Sequence, residues 1–196
     1  HAKAAEILGD PTPRLAGRLE WSWSGLASHI HLLGSVIVPL ASMGLLGMAM
    51  PVVPNINNFR HPVYDLAKTA LAGPAVNAGL ALTGAAGFGI LTAAGIGGLA
   101  AKAVGVFVSL NVLLAMVNLV PLYPMDGKHL LSAALHAVHP GLRTGLDKLY
   151  DALGILGAVP LFFLFVTFRE SLVLKVDAVS GALLAAASAA CGFLFS

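Results

Sequence analysis

His1, Asn77 and Asp126 are the residues of this 196-residue chain whose types and settings could do chemistry. Asp126 follows a long apolar run, inside the turn Pro124-Met125-Asp126-Gly127. A carboxylate at membrane depth costs at least about 2.5–3.5 kcal/mol, so its presence there points to function. The same Asp-Gly pair is also ordinary in a turn at the membrane surface. Asn77 stands in Ala72-Gly73-Pro74-Ala75-Val76-Asn77. Gly-Pro loosens a helix and leaves backbone groups in need of partners. The Asn77 amide could donate to a substrate oxygen, or it could bond a neighbouring helix. His1 is a potential metal ligand, but one histidine by itself decides nothing. The single cysteine, Cys191, excludes an internal disulfide and a cysteine-based zinc site. Any metal must then be held by histidine and carboxylate.

The elements that position these residues follow from composition. The chain is 58% hydrophobic and 10% charged, where a soluble domain carries about 25% charged residues. Lipid is the solvent that suits such a chain, because a spanning helix needs roughly 20 apolar residues in succession. The net charge of +2 comes without any Lys/Arg run, which argues against a nucleic-acid partner. Residues 1–8 have helical composition, and Gly9-Asp10-Pro11-Thr12-Pro13 stops them. Arg18-Leu19-Glu20-Trp21-Ser22-Trp23 alternates polar and apolar, which predicts a short strand. An apolar stretch follows at 32–50; a second is made loop-like in its later half by Gly84, Gly87, Gly89, Gly95, Gly97 and Gly98, and predicts a helix at about 65–88 followed by a Gly-rich turn. Others run over about 103–122, 152–168 and 176–195, with a more polar segment after Asp126. The expected fold is an all-α polytopic membrane protein with about four to five hydrophobic helices and a short β-like segment near the N-terminus. Basic residues occur in nearly every connection and leave the orientation open. There is no internal repeat, which weighs against a transporter built from repeats.

Taken in order along the chain, the motifs resemble the site-2 protease family, the M50-type intramembrane metalloproteases. The run His1-Ala2-Lys3-Ala4-Ala5-Glu6-Ile7-Leu8-Gly9-Asp10-Pro11-Thr12 is similar to the segment that follows a His-Glu-X-X-His helix, with His1 on the second histidine. Arg18-Leu19 and His29-Ile30 resemble the next segment, although this chain has His31-Leu32 where the family tends to have Asp-Pro. Pro51-Val52-Val53-Pro54-Asn55 and Asn58-Phe59-Arg60 match the loop before the next helix. Gly73-Pro74 with Asn77 matches a Gly-Pro-X-X-Asn element, and Asn118 to Gly127 an Asn-X-X-Pro…Asp-Gly element. The resemblance covers about residues 1–135, a membrane protease core. Residues 136–196 read as C-terminal transmembrane helices.

The resemblance implies Zn2+ held by His1, by Asp126 and by the first histidine of the motif, with the motif's glutamate as general base. Asn77 would orient substrate or stabilise an oxyanion. The first histidine and the glutamate are not in this sequence, so the chain reads as an N-terminally incomplete core, inactive alone. The implied partners are membrane lipids and transmembrane segments of other proteins, which must unwind to be cut because helical backbone shields the scissile carbonyl. The implied location is the bacterial cell (inner) membrane. The alternatives are a non-catalytic membrane adaptor of the same fold and a small transporter. His129, His136 and His139 read as interfacial polar residues or as neighbours of the metal. His29 and His31, in an expected loop, could face the site, though their i, i+2 spacing does not decide it, and His61 before Pro62 reads as a loop residue.

Overall fold

The computed structural model describes residues 1–20, 22–23, 53–153 and 158–195. Among the described residues the regular structure is helical: α1 (Ala2–Ile7), α2 (Thr12–Leu15), a 3-10 turn (Ile56–Asn58), α3 (Pro62–Ala93), α4 (Gly98–Asn118), α5 (Gly127–Val138), α6 (Pro140–Leu153) and α7 (Ala158–Phe195). They fall into two compact units, His1–Ala70 and Leu71–Ser196, and each is described by itself. The apolar stretch at 32–50 lies outside the described residues, as do His29 and His31.

No strand forms among the described residues, which corrects the β-like segment expected at 18–23. The alternation of side chains is there, but the backbone donors are used locally. Gly17, at φ +72°, closes α2 with its amide on the Arg14 carbonyl at 2.9 Å. The Arg18 amide reaches the Pro13 carbonyl (3.0 Å) and the Glu20 amide the Gly17 carbonyl (3.3 Å). Periodicity alone does not make a strand once a turn has taken the groups a ladder needs. Trp21 lies outside the described residues.

In the first unit, α1 ends where the sequence predicts, at Gly9 with φ +108°. Pro62 opens α3, where its missing amide is no loss. The Asp65 carboxylate reaches back to the His61 amide (2.9 Å) and also accepts from Lys68 Nζ (2.9 Å).

In the second unit, α3 continues unbroken through Gly84, Gly87 and Gly89, past the end expected at about 88. It ends at Ala93 with a paired closure: Gly95 N to the Thr92 carbonyl (3.1 Å) and Ile96 N to the Leu91 carbonyl (2.8 Å). Gly95 has φ +72°, the conformation this closure requires. The earlier glycines are packing sites. A Cβ on Gly84 would lie 2.9 Å from the Phe107 ring, and one on Gly89 would lie 2.5 Å from the Ala187 carbonyl oxygen. In lipid, where apolar burial does not drive helices together, small residues permit the close approach that does. Ala81, Ala85, Val108, Val112 and Val176 form the core shared by α3, α4 and α7. Ser109–Ser180 (3.1 Å) and Thr92–Ser188 (3.2 Å) bond across the helices.

Helix α7 runs 38 residues without interruption, where two separate apolar stretches were expected. Among the described residues, three helical segments are long and apolar enough to cross a membrane: Pro62–Ala93, Gly98–Asn118 and Leu174–Phe193.

Candidate metal centre

His1 precedes α1, and its carbonyl accepts the Ala5 amide at 2.9 Å, so its backbone is fixed by the first helical turn. The exposed ring is fixed too. Its Nδ1 lies 2.8 Å from the backbone carbonyl of Thr69 on α3. A carbonyl oxygen can only accept, so Nδ1 must carry the hydrogen. In the neutral ring the lone pair then sits on Nε2. This is the arrangement by which proteins orient a metal-binding histidine. Thr69 is buried and braced, its hydroxyl donating to the Asp65 carbonyl at 2.9 Å. Its carbonyl lies beside that of Ala70, which loses its intrahelical donor to Pro74. Gly73-Pro74 thus loosens the same stretch of helix that holds His1.

Asp10 has no solvent exposure and gathers three segments. It accepts from the Thr12 hydroxyl (2.6 Å), the Thr12 amide (3.1 Å), the Asn58 side-chain amide (2.8 Å) and the Asn55 amide (2.7 Å). Burial by itself would raise its pKa. The hydrogen bonds from Thr12 and Asn58, with the Thr12 and Asn55 backbone amides, outweigh burial and hold the carboxyl below its usual range. The 53–58 loop is thereby tied to the end of α1, and that loop leads into α3 and Thr69. Sequence reasoning gave Asp10 only the part of a helix stop. The available signal was Asp-X-Thr after a glycine, the pattern of a side chain closing its own turn.

Asp126 occupies the N-cap position of α5, half-buried, with His129 N on its carbonyl at 3.0 Å. Its carboxylate makes no capping bond to α5. Gly127 explains the Asp-Gly pair. A Cβ there would collide with the Leu119 carbonyl and lie 2.5 Å from the Val120 carbonyl oxygen. Only glycine lets α5 start against the end of α4, so Gly127 sets where Asp126 stands. The Tyr150 hydroxyl, on α6, donates to the Pro121 carbonyl at 2.7 Å and pins the same turn. Lys128 Nζ sits 4.6 Å from the centre of the Tyr123 ring. Burial pushes the Lys128 ammonium below its ordinary pKa, against the pull of Asp151 and Asp147. Burial, with Asp147, pushes the Tyr150 phenol up. Nothing in the sequence marks Tyr150, because the bond joins residues distant along the chain.

Asn77 is half-buried on α3, and among the described residues its amide has no hydrogen-bond partner. His129 and His136 are half-buried on α5. The His139 Nδ1 accepts the Gly141 amide at 3.1 Å and caps α6. His61 ends the loop before α3, as expected. His1 belongs to the first unit and Asp126 to the second. Among the described residues no three His, Cys, Asp or Glu side chains gather as a metal-binding group.

Fold and site define a helical membrane protein with an oriented imidazole in one unit and a carboxylate presented by a glycine-dependent turn in the other. The chain is similar to the Bacillus subtilis protein described as "Putative zinc metalloprotease YwhC". The two are 29% identical over 180 residues, which cover 89% of this chain and 76% of that protein. No family model matches the chain, and no solved structure matches it.

Proposed function

We propose that the chain is the membrane core of a site-2-type intramembrane zinc metalloprotease that cuts transmembrane segments of other proteins in a bacterial cell membrane. The observation that carries this reading is the His1 Nδ1–Thr69 carbonyl bond of 2.8 Å, which gives the neutral ring a lone pair at Nε2. The metalloprotease description of the similar Bacillus subtilis protein points the same way. The donors fit Zn2+: a neutral imidazole nitrogen and a carboxylate are both zinc ligands. The His1 imidazole and the Asp126 carboxylate are each offered as a zinc ligand, and the resemblance assigns the remaining histidine and the general-base glutamate to its His-Glu-X-X-His motif. When bound, the ion supplies Lewis-acid polarisation and a nucleophile at neutral pH. Gly127 and Tyr150 fix where the Asp126 carboxylate stands. The Asn77 amide donates to the oxygen of an unwound substrate.

The test is zinc stoichiometry and cleavage of a transmembrane substrate by the full-length protein in vesicles. One zinc per chain is expected, lost with activity in Asp126→Ala and in His1→Ala. A wild-type protein that binds no zinc, or an Asp126→Ala variant that retains both zinc and activity, refutes the reading. Asn77→Ala is expected to keep zinc and lose turnover.

A further inference from the structure

Helix α6 is amphipathic, and it sits the wrong way round for a water-soluble protein. Its polar residue Asp147 faces the protein, accepting from the buried Ser132 of α5 at 3.0 Å and pairing with Arg143 at 2.9 Å. Three of its four leucines face outward: Leu142, Leu149 and Leu153 are 55%, 53% and 40% exposed, while Leu146 is half-buried. At about 100° per residue these three fall within an arc of about 40°. Thr144 and Lys148 lie on another exposed arc. In water such a helix would turn its leucines toward α5.

Chain connectivity says what covers them. The α5–α6 pair lies between α4 and α7, each of which carries a candidate span. Helix α6 ends at Leu153 and α7 begins at Ala158. At 14 residues, α6 is about 21 Å long, short of the roughly 30 Å hydrocarbon core. It is therefore too short to cross, and the chain on either side of the α5–α6 pair leads to a helix with a candidate span, Gly98–Asn118 before it and Leu174–Phe193 after it.

We infer that α6 lies along the membrane surface, with Leu142, Leu149 and Leu153 inserted at the boundary between headgroups and acyl chains of the bilayer that its spans cross. Within α6, Arg143 and Lys148 balance Asp147 and Asp151. Insertion is accordingly driven by the leucines and needs no anionic lipid. Through the Tyr150–Pro121 bond the inserted helix ties the Asp126 turn to a fixed depth. The inference does not depend on protease activity.

The test uses nitroxide labels at Leu142→Cys, Leu149→Cys and Leu153→Cys, compared with Thr144→Cys and Lys148→Cys. The protein carries Cys191→Ser and is reconstituted in phosphatidylcholine vesicles. Labels at the three leucine positions should relax severalfold more with oxygen, which partitions into lipid, than with a water-soluble nickel chelate. Labels at 144 and 148 should show the reverse, and adding anionic lipid should change neither. Leucine-position labels as open to the chelate as those at 144 and 148 overturn the inference. So do labels shielded from both reagents, the signature of a second copy or another protein covering the face. Three independent positions keep the test valid if one variant folds poorly.

Discussion

Asp10→Ala should loosen the hold on His1 without touching His1. The substitution removes the acceptor of four hydrogen bonds. The Thr12 hydroxyl can turn to water, but the amides of Thr12 and Asn55 lose this acceptor, and the side-chain amide of Asn58 keeps only a long 3.5 Å contact to the Thr12 hydroxyl. An unsatisfied donor costs about 1–3 kcal/mol, and near the surface the low end applies, giving roughly 3 kcal/mol in all. At about 2–4 °C per kcal/mol that is a fall of roughly 6–12 °C in Tm. Asp10→Asn keeps the shape and one acceptor but sets its NH2 against other donors, so about half the loss is expected. The assays are thermal melting in detergent and amide hydrogen exchange, with faster exchange expected at residues 53–58. The pH dependence has a defined sign. A carboxyl whose folded pKa lies below its unfolded value of 3.8 contributes stability in full above that value. The contribution is lost as pH falls through the lower folded pKa. Wild type and Asp10→Ala should therefore differ most at neutral pH and converge in acid below 3.8. An Asp10→Ala protein that melts with the wild type, with unchanged exchange at 53–58, refutes the reasoning.

Gly127→Ala should cost about 1–3 kcal/mol or more by driving a methyl into the Leu119 and Val120 carbonyls. Melting of the full chain checks the loss of stability, and zinc content checks displacement of Asp126. Tyr150→Phe removes the 2.7 Å bond to the Pro121 carbonyl, for a loss of about 0.5–1.5 kcal/mol. Double-mutant comparison with Gly127→Ala should show coupling between the two, because both hold one turn. Gly89→Leu should part α3 from α7, since a Cβ already lies 2.5 Å from the Ala187 carbonyl oxygen. A disulfide between Thr92→Cys and Ser188→Cys, whose hydroxyls are 3.2 Å apart, should form in the Gly89 protein with Cys191 replaced and fail in Gly89→Leu.

The sequence by itself determined the solvent and most of the helices. A chain 58% hydrophobic and 10% charged has to place its helices in lipid. The stop at Gly9 and the turn before Gly127 are each fixed by residues whose backbone freedom is local, whereas the helix expected from about 65 starts at Pro62. The sequence also picked out Asp126 and Asn77, because polar groups in apolar runs are visible in one dimension. Tertiary structure decided what each glycine was for. Gly84 and Gly89 look like loop residues in composition, and only the approach of Phe107 and Ala187 makes them packing sites. It decided against a strand at 18–23, where side-chain alternation was satisfied but the Pro13 and Gly17 carbonyls took the amides. It gave Asp10 four hydrogen bonds, two of them from residues more than forty positions away, and it chose the His1 tautomer through a carbonyl 68 positions distant. Local propensity and pattern act over a few residues and can be read along the chain. Hydrogen bonds and close approaches between distant segments exist only once the chain has folded, and those contacts orient the groups that could do the chemistry.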